Sequence, residues 1–575
     1  MDFFGSVQGY FSQLGDYFKI GTSLLMAFFM SIGQIIAPLT ANRNALFDKW
    51  STSDKFSSSY CVEMKKDPNK DFVVLNLADI QLKDKELYDD SWDFAKATIK
   101  YEITKTKPDL ITLTGDNAWG MLTYIELCKE IDSYGIPWAP VMGNHDGNNT
   151  PSEFWCAYQF TQTENCLFKF GPKDMGFGNY IINITENGKI IHSLFMMDTH
   201  SNAFDTKESK INAGSDGDTS GYDHLWANQL EWYEWAVKGI KETAGKTVES
   251  SVFMHIPTVE YADYYADYYD ADKDCWKPEY AGTCFGVNHE PVCSPKGNNG
   301  FFDLCKKLGS TKNIVVGHDH VNCSSMLVDG IRLSYGLKCG SGCYWEPEMN
   351  GGSTLTISSD GKAEFSHVPF NIFNLSDIMS SGLFTIKATL HSGSEEVADI
   401  PLSAFYDGEK FAIDITVSLS GLNIEMRIIY RDGQLITLIP SLRGYYITSN
   451  QDLNDLMSQY GPDEINSTLG FMFYNTSDKK HLGTETVKIY GKEYRVEKYE
   501  FQPLSGDKYI AKYYFDDNKF EKIEFEYEGE EKAMFELNEL YPYADSDMFE
   551  IPAGYIDMTG IMNSRMADNS LQEAA

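Results

Sequence analysis

Five short segments group side chains suited to metal binding and proton transfer: LADIQL at 77–82, LTGDNAW at 113–119, VMGNHDG at 141–147, FMHIP at 253–257 and VVGHDHVN at 315–322. Together they offer Asp79, Gln81, Asp116, Asn144, His145, Asp146, His255, His318 and His320. Carboxylates, neutral imidazoles and amide oxygens, with no thiolate among them, suit Mn, Fe or Zn better than copper or a structural zinc. Two such cations about 3.5–4 Å apart meet the needs of phosphoester hydrolysis near neutral pH: a hydroxide, neutralised phosphoryl oxygens and a stabilised leaving group. One such segment alone is unremarkable, because a lone Asp-Asn is commonly a turn. Five in one order, four following an apolar run and one ending such a run, are hard to attribute to turns. Gly115, Gly143 and Gly317 stand just before polar side chains, where each lets the backbone bend sharply.

These residues act together only if the chain delivers them to one place. Residues 71–77, 110–113 and 138–142 read as buried strands, and the periodicity of 91–106 and 122–134 predicts helices between them. Further strands are predicted at 190–197, 251–254, 313–316 and 331–335, with a Trp-rich helix around 225–239. This is the rhythm of an α/β domain. The polar clusters fall just past the C-terminal ends of the strands, where open α/β sheets place their ligands. Beyond about Pro369 the texture changes to alternating polar and apolar residues. Asp432-Gly433 between two β-rich runs is a strong hairpin signal. Strands at 411–419, 486–490, 494–501, 509–515 and 521–527 extend the pattern into an antiparallel, sheet-rich domain with no comparable His/Asp cluster, read as a binding or spacer module.

The ordered segments resemble the calcineurin-like metallophosphoesterase superfamily, whose signature is D-x-H, GD, GNH[DE], a single H and GHxH. The resemblance runs over roughly residues 70–345, about half the chain. Within the superfamily, GVNHEPVCSPKGNNGFF at 286–302, YGLKCGSG at 335–342 and NQLEW at 228–232 are similar to the purple-acid-phosphatase-related, phosphodiesterase-type branch. The resemblance implies a four-layer α/β/β/α sandwich, here followed by the antiparallel β-rich (α+β) domain. It implies that Asp79, Gln81, Asp116 and His320 hold a first metal. Asp116 would bridge to a second metal held by Asn144, His255 and His318. His145 would protonate the leaving oxygen, Asp146 would orient His145, and a metal-bound hydroxide would attack. The cofactors implied are two divalent or trivalent ions, Mn, Fe or Zn. Gln81 stands where most of the superfamily has His. It is a neutral oxygen donor that binds a soft divalent ion less well, which implies a changed metal preference.

With 575 residues the chain should divide into two or three domains. The expected organisation is a leader and transmembrane or signal-anchor segment over 1–42, a connector over 43–70, the catalytic domain over 71–369, an accessory domain over 370–560 and a tail over 561–575. The 48 basic against 84 acidic residues, net −36, would repel a nucleic-acid backbone, so long nucleic acid is excluded as a partner and a small phosphoester is expected. Residues 20–42 carry no charge and are long enough to cross a membrane, and Phe4, Val7, Phe11, Leu14 and Phe18 predict an interfacial helix ahead of them. A cleaved signal peptide ending near Ala41 is the competing reading, disfavoured by the long leader without a basic start. Lys19 against Arg43, Lys49 and Lys55 favours a cytoplasmic catalytic side, whereas the export-like segment favours a cell-surface or secreted one, so sidedness stays open.

Eleven cysteines cannot all pair internally. Cys156 with Cys166, Cys284 with Cys293 and Cys339 with Cys343 are candidate disulfides against a background of scattered buried thiols. The acidic run at 261–280 fails as an EF-hand, with Cys275 at the glycine position and Ala281 at the glutamate position, and reads as a solvated loop near His255. His224 and His289 lie between the motifs as incidental residues, and Asn183, Asn374, Asn466 and Asn475 begin N-x-[ST] triplets. Two functions compete with phosphoester hydrolysis: a membrane-anchored binding protein with a degenerate phosphoesterase domain, and a protein phosphatase. GDNAWGM and GNHD lack the Arg and second Asp of the protein-phosphatase motif GDxVDRG, which disfavours the latter.

Overall fold

Runs such as FVVLNL at 72–77 and TKNIVV at 311–316 carry too many apolar residues to leave either face in water, so they become strands covered on both sides. The computed structural model describes residues 38, 41–88, 90–202, 221–370, 384–392, 400–407, 410–419, 422–448, 480–489, 492–501, 509–516, 519–527, 530–541, 544 and 546–560. The chain forms two compact units, 1–88 with 108–345 and 352–368, and 89–107 with 346–351 and 369–575.

In the first unit, five strands run in the order Ala363–Pro369, Gly351–Ile357, Phe72–Leu77, Leu110–Thr114, Trp138–Val141. The last three are mutually parallel, and Gly351–Ile357 runs antiparallel to Phe72–Leu77. A seven-stranded sheet has the order Cys61–Lys65, Tyr180–Glu186, Lys189–Met196, Glu249–Phe253, Thr311–Val316, Ile331–Tyr335, Ser325–Val328. Its four consecutive strands from Lys189–Met196 to Ile331–Tyr335 are parallel. Tyr180 Oη donates to Pro140 O (2.8 Å), and His192 Nδ1 lies 2.8 Å from Gly361 O, which joins the two sheets.

Helices Met121–Ser133 and Glu153–Phe160 cover the five-stranded side, with Tyr124, Trp155, Phe160 and Trp138 in ring contact. On the other side, Trp232, Tyr233 and Ile240 of helix Ala227–Ala244 and Phe301, Phe302 and Cys305 of helix Phe301–Leu308 pack on Phe195, Val252, Met254, Ile314 and Val316. Leu194, Met196, Phe253 and Val315 point the opposite way and are fully buried too. The first unit is thus the four-layer α/β/β/α sandwich.

Five strands of these sheets were not legible in the sequence: Cys61–Lys65, Tyr180–Glu186, Ser325–Val328, Gly351–Ile357 and Ala363–Pro369. Cys61–Lys65, inside the stretch read as connector, is an edge strand, and its half-polar pattern reflects having one neighbour only. The run at 261–280 is not a loop throughout: Val259–Tyr268 is a helix whose Tyr261, Tyr264, Tyr265 and Tyr268 share a 3.6-residue stripe against the core. A short antiparallel pair, Tyr269–Asp270 with Cys275–Trp276, follows it. All eleven cysteines are free thiols. Asn183 is buried with its Oδ1 accepting from Ser193 Oγ (2.8 Å), so that triplet is no surface loop. Asn374, Asn466 and Asn475 lie outside the described residues, as do the tail 561–575 and nearly all of the 1–42 leader. No described helix is long and apolar enough to cross a membrane.

In the second unit, twelve described strands form one sheet, eleven of them antiparallel to their neighbours from Lys480–Ile489 to Gly444–Ile447. Ile556–Asp557 joins its edge in parallel. The turn joining Leu422–Arg431 to Gln434–Ile439 has Asp432 at φ 51° and Gly433 at φ 70°, the left-handed pair that a two-residue hairpin requires. Phe405, Ala412, Ile429, Ile436, Leu438 and Phe549 form one core of this unit, and Phe384, Ile386, Ala388 and Ala404 another. Helix Asp90–Thr106 groups with this unit: Phe94 and Tyr101 contact the Phe370 ring, and Lys100 Nζ donates to Asp407 O (3.0 Å).

Candidate metal centre

Parallel strands end at a common edge, and the five motifs occupy the segments that leave five such strands. Asp79 and Gln81 follow Phe72–Leu77, Asp116 follows Leu110–Thr114, and Asn144 and His145 follow Trp138–Val141. His255 follows Glu249–Phe253, and His318 and His320 follow Thr311–Val316. The turns are tight enough to force left-handed backbone on four non-glycine residues: Asp79 (φ 54°), Gln81 (44°), Asp116 (47°) and His318 (81°). Each costs about 1 kcal/mol or more and persists only where the surroundings over-determine it. A methyl group on Gly143 would overlap the backbone nitrogen and Oδ1 of Asp116, so the GNHD loop approaches the GD loop more closely than any other residue permits.

The seven residues converge. His255 Nε2 and His318 Nδ1 lie 2.8 and 2.9 Å from Asn144 Oδ1 and 3.2 Å from each other. His255 Nε2 is 3.4 Å from Asp116 Oδ1. The other oxygen, Asp116 Oδ2, accepts from Gln81 Nε2 at 2.7 Å. His320 Nε2 is 3.6 Å from Asp79 Oδ1, and the Asp79 carboxylate accepts from the His318 backbone N–H at 3.0 and 3.1 Å. The two oxygens of Asp116 therefore face the two halves of the cage, the arrangement a bridging carboxylate needs. Ligand atoms of Asp79, Asp116 and His255 lie within 4.8 Å of one another.

The residues fit metal ions by a second criterion. Gln81 Oε1 and His318 Nε2 are buried without any hydrogen-bond partner, a state that costs about 1–3 kcal/mol per atom unless something occupies the cage. Burial raises the carboxyl groups of Asp79 and Asp116 to about 7 and drives His318 well below its usual range. A low-dielectric cage this rich in acids and neutral imidazoles is balanced by cations.

Residues around the cage hold it in place. Asp146 is fully buried and accepts from the N–H of Gly143 (2.6 Å), the N–H of Asn117 (2.8 Å) and Asn117 Nδ2 (2.8 Å). It pins the GNHD loop to the GDNAW loop instead of gripping the imidazole, as the motif resemblance had implied. The side chain that meets the His145 ring is Asn148, whose Nδ2 lies 2.6 Å from Nδ1. His145 N–H donates to Asp116 Oδ1 (2.7 Å), and its ring lies 4.5 Å from that of Trp119. Burial lowers the His145 imidazole to about 4.

The sequence reading missed several residues here. Lys338 is buried beneath the cage and its ammonium donates to the Asp79 carbonyl. Tyr222 packs edge-on against His318 (4.4 Å), and Tyr344 stacks on His320 (4.3 Å) with its hydroxyl 2.9 Å from Glu290. Lys338 and Glu290 lie within segments flagged by resemblance, but their residue types carried no sign of this role. His224 is buried beside Asp223 (3.0 Å), and His289 is exposed.

Residues 72–322 match the family described as calcineurin-like phosphoesterase, so this region carries a domain of the metallophosphoesterase superfamily. Among its relatives is a probable inactive purple acid phosphatase 14 of Arabidopsis thaliana, 29% identical over 40% of this chain and 59% of the relative. Phosphatase DCR2 of Saccharomyces cerevisiae is 26% identical over half of each chain. The chain thus spans less than two thirds of the length of these curated relatives. A solved dimetal phosphatase from Danio rerio aligns with 50% of this chain and 94% of its own, at 13% identity and a TM-score of 0.35.

Proposed function

We propose that this chain hydrolyses small phosphomonoesters or phosphodiesters with a pair of Mn, Fe or Zn ions held by Asp79, Gln81, Asp116 and His320 on one side and Asp116, Asn144, His255 and His318 on the other. The observation that carries this reading is the buried cage itself, with Asp116 turned to both halves and two donor atoms left without partners. Bound cations would neutralise phosphoryl oxygens and activate water.

The chain's own residues supply orientation and a proton. The Asn148 side chain, 2.6 Å from His145 Nδ1, holds the ring with Nε2 towards the leaving oxygen. As the imidazolium, the form that burial disfavours, His145 would give its Nε2 proton to that oxygen and return to the neutral imidazole, its ring 4.5 Å from that of Trp119. Asp146 sets the loop on which His145 rides. The word "inactive" in the plant relative's name concerns that protein; this chain keeps His145 and six of the seven usual cage residues, with Gln81 the one departure. The same reading keeps residues 20–42 as a membrane attachment, with the catalytic unit at a membrane surface or outside the cell, a matter for fractionation of the full chain.

The test is direct. Full-length protein supplemented with Mn is assayed on p-nitrophenyl phosphate and bis(p-nitrophenyl) phosphate. Turnover of either is expected, with His145→Ala lowering kcat about 100-fold at unchanged metal content. Absence of turnover by the metal-loaded wild type on both esters would overturn the proposal.

A further inference from the structure

Immediately beyond the cage, the chain adds a two-stranded parallel ribbon, Leu82–Lys83 paired with Ala118–Trp119, in which Lys83 is directly opposite Trp119. Each strand starts within two residues of a cage ligand, Gln81 on one side and Asp116 on the other, so the ribbon is rigidly indexed to the site. The Lys83 ammonium lies 4.8 Å from the centre of the Trp119 ring, whose other close neighbour is the His145 imidazole at 4.5 Å. These two distances place the ammonium within about 9 Å of the imidazole. A lysine over a tryptophan is by itself common in folded proteins. A stack of lysine, tryptophan and the proposed proton donor is not explained by packing alone.

The charges around it sharpen the point. In a chain of net charge −36, a cation beside an active site would ordinarily find a carboxylate. The neighbouring acids are engaged elsewhere: Asp84 accepts from the N–H and hydroxyl of Thr123 (3.0 and 2.7 Å), and Glu86 accepts from the Lys83 backbone N–H (2.8 Å). Among the described residues, no carboxylate lies within ion-pair distance of the Lys83 ammonium. Beside His318 and His320 stand Tyr222 and Tyr344, the latter with its hydroxyl on Glu290.

Resting on the hydrolase reading, we infer that Trp119 and Lys83 form the leaving-group subsite, selecting phosphoesters whose leaving group has a flat or apolar body and an anionic substituent. His145 stands where the leaving oxygen must be protonated, so the group that departs passes along the Trp119 indole beside it. An anion about a ring's length from the ester oxygen then reaches the Lys83 ammonium.

Three aryl esters with one ring test this: phenyl phosphate, 4-carboxyphenyl phosphate and 4-(aminomethyl)phenyl phosphate, assayed on the metal-loaded full chain. The carboxyl-to-aminomethyl ratio of kcat/KM is expected to fall about fivefold in Lys83→Met, the upper range for a half-exposed ion pair. It should fall further in Lys83→Glu and be retained in Lys83→Arg and Lys85→Ala. Lys83→Met keeps the stem on the indole, so a folding defect is separated from loss of charge. Trp119→Ala should raise KM for all three esters. A ratio that is the same in wild type, Lys83→Met and Lys83→Glu overturns the inference, as does an equal fall in Lys85→Ala, which would mark a diffuse field. Failure of the wild type on every ester overturns hydrolysis instead. In that event the ratio is read from dissociation constants of the same esters by titration calorimetry, where invariance across the variants again overturns the subsite.

Discussion

The two units of this chain are both rich in strands, yet among the described residues only the first gathers polar groups into a cage. In the first unit the motif-bearing strands are parallel within each of its two sheets, so each sheet brings their C-terminal ends to one edge, and five separate segments deliver side chains to one place. In the second unit nearly every strand is antiparallel to its neighbour, so successive ends alternate between edges and no edge collects them. Local chemistry follows the same division. The first unit places left-handed backbone at Asp79, Gln81, Asp116 and His318, whereas Asp432 and Gly433 of the second use the same conformation only to turn a hairpin. Strain of equal kind thus serves assembly of a site in one case and chain reversal in the other.

That contrast can be broken by experiment. Asp116→Asn removes the carboxylate that faces both half-cages and should lower kcat/KM by about 1,000-fold with loss of both metals, read by metal analysis on the purified chain. Retention of two metals would mean that the halves are independent. Next, Gly143→Ala drives a methyl group into the Asp116 backbone and should cost about 3 kcal/mol in unfolding free energy, together with metal. An unchanged denaturation midpoint would show the loop contact to be loose.

Acid should act on the first unit through His192, buried between Gly361 O and Ser251 Oγ, whose imidazole burial lowers to about 4. The unfolded chain takes up its proton near pH 6.5 while the folded one does not, so stability falls as pH drops from about 6.5 towards 4, by about 3 kcal/mol. Urea titrations of metal-free wild type and His192→Gln across that window check it, the variant having the shallower slope. Gln81→His restores the commoner imidazole ligand and should tighten metal retention against a chelator about tenfold. If it abolished activity while Asp116→Asn spared it, the two roles would be reversed. Gly433→Ala should cost about 1 kcal/mol in the second unit's unfolding and leave the metal content unchanged. A change in metal content there would couple the units.

Much of this was legible in the chain because buried parallel strands advertise themselves as apolar runs and end in polar clusters. Strands Ile331–Tyr335 and Phe411–Leu419 have the predicted bounds. Segments outside those patterns were not legible. Tyr180–Glu186 contains the N-x-T triplet at Asn183, which suggests a loop by motif but is covered on both faces in the sheet. Val259–Tyr268 is acidic in composition, and its tyrosine stripe becomes an apolar face only against the core it packs on.

By itself the sequence determined which side chains could bind metal and in what order strands present them, since residue type, glycine spacing and apolar period are local properties. It could not assign atoms to partners. Asp79 meets the backbone of His318 across 239 residues, and Asp146 grips two loops while Asn148 takes the imidazole. Lys338 under the cage and Lys83 over Trp119 differ in burial and partner, not in residue type. Those differences exist only once distant segments are packed, because hydrogen bonding and desolvation act between groups that the tertiary structure, and no local pattern, brings together.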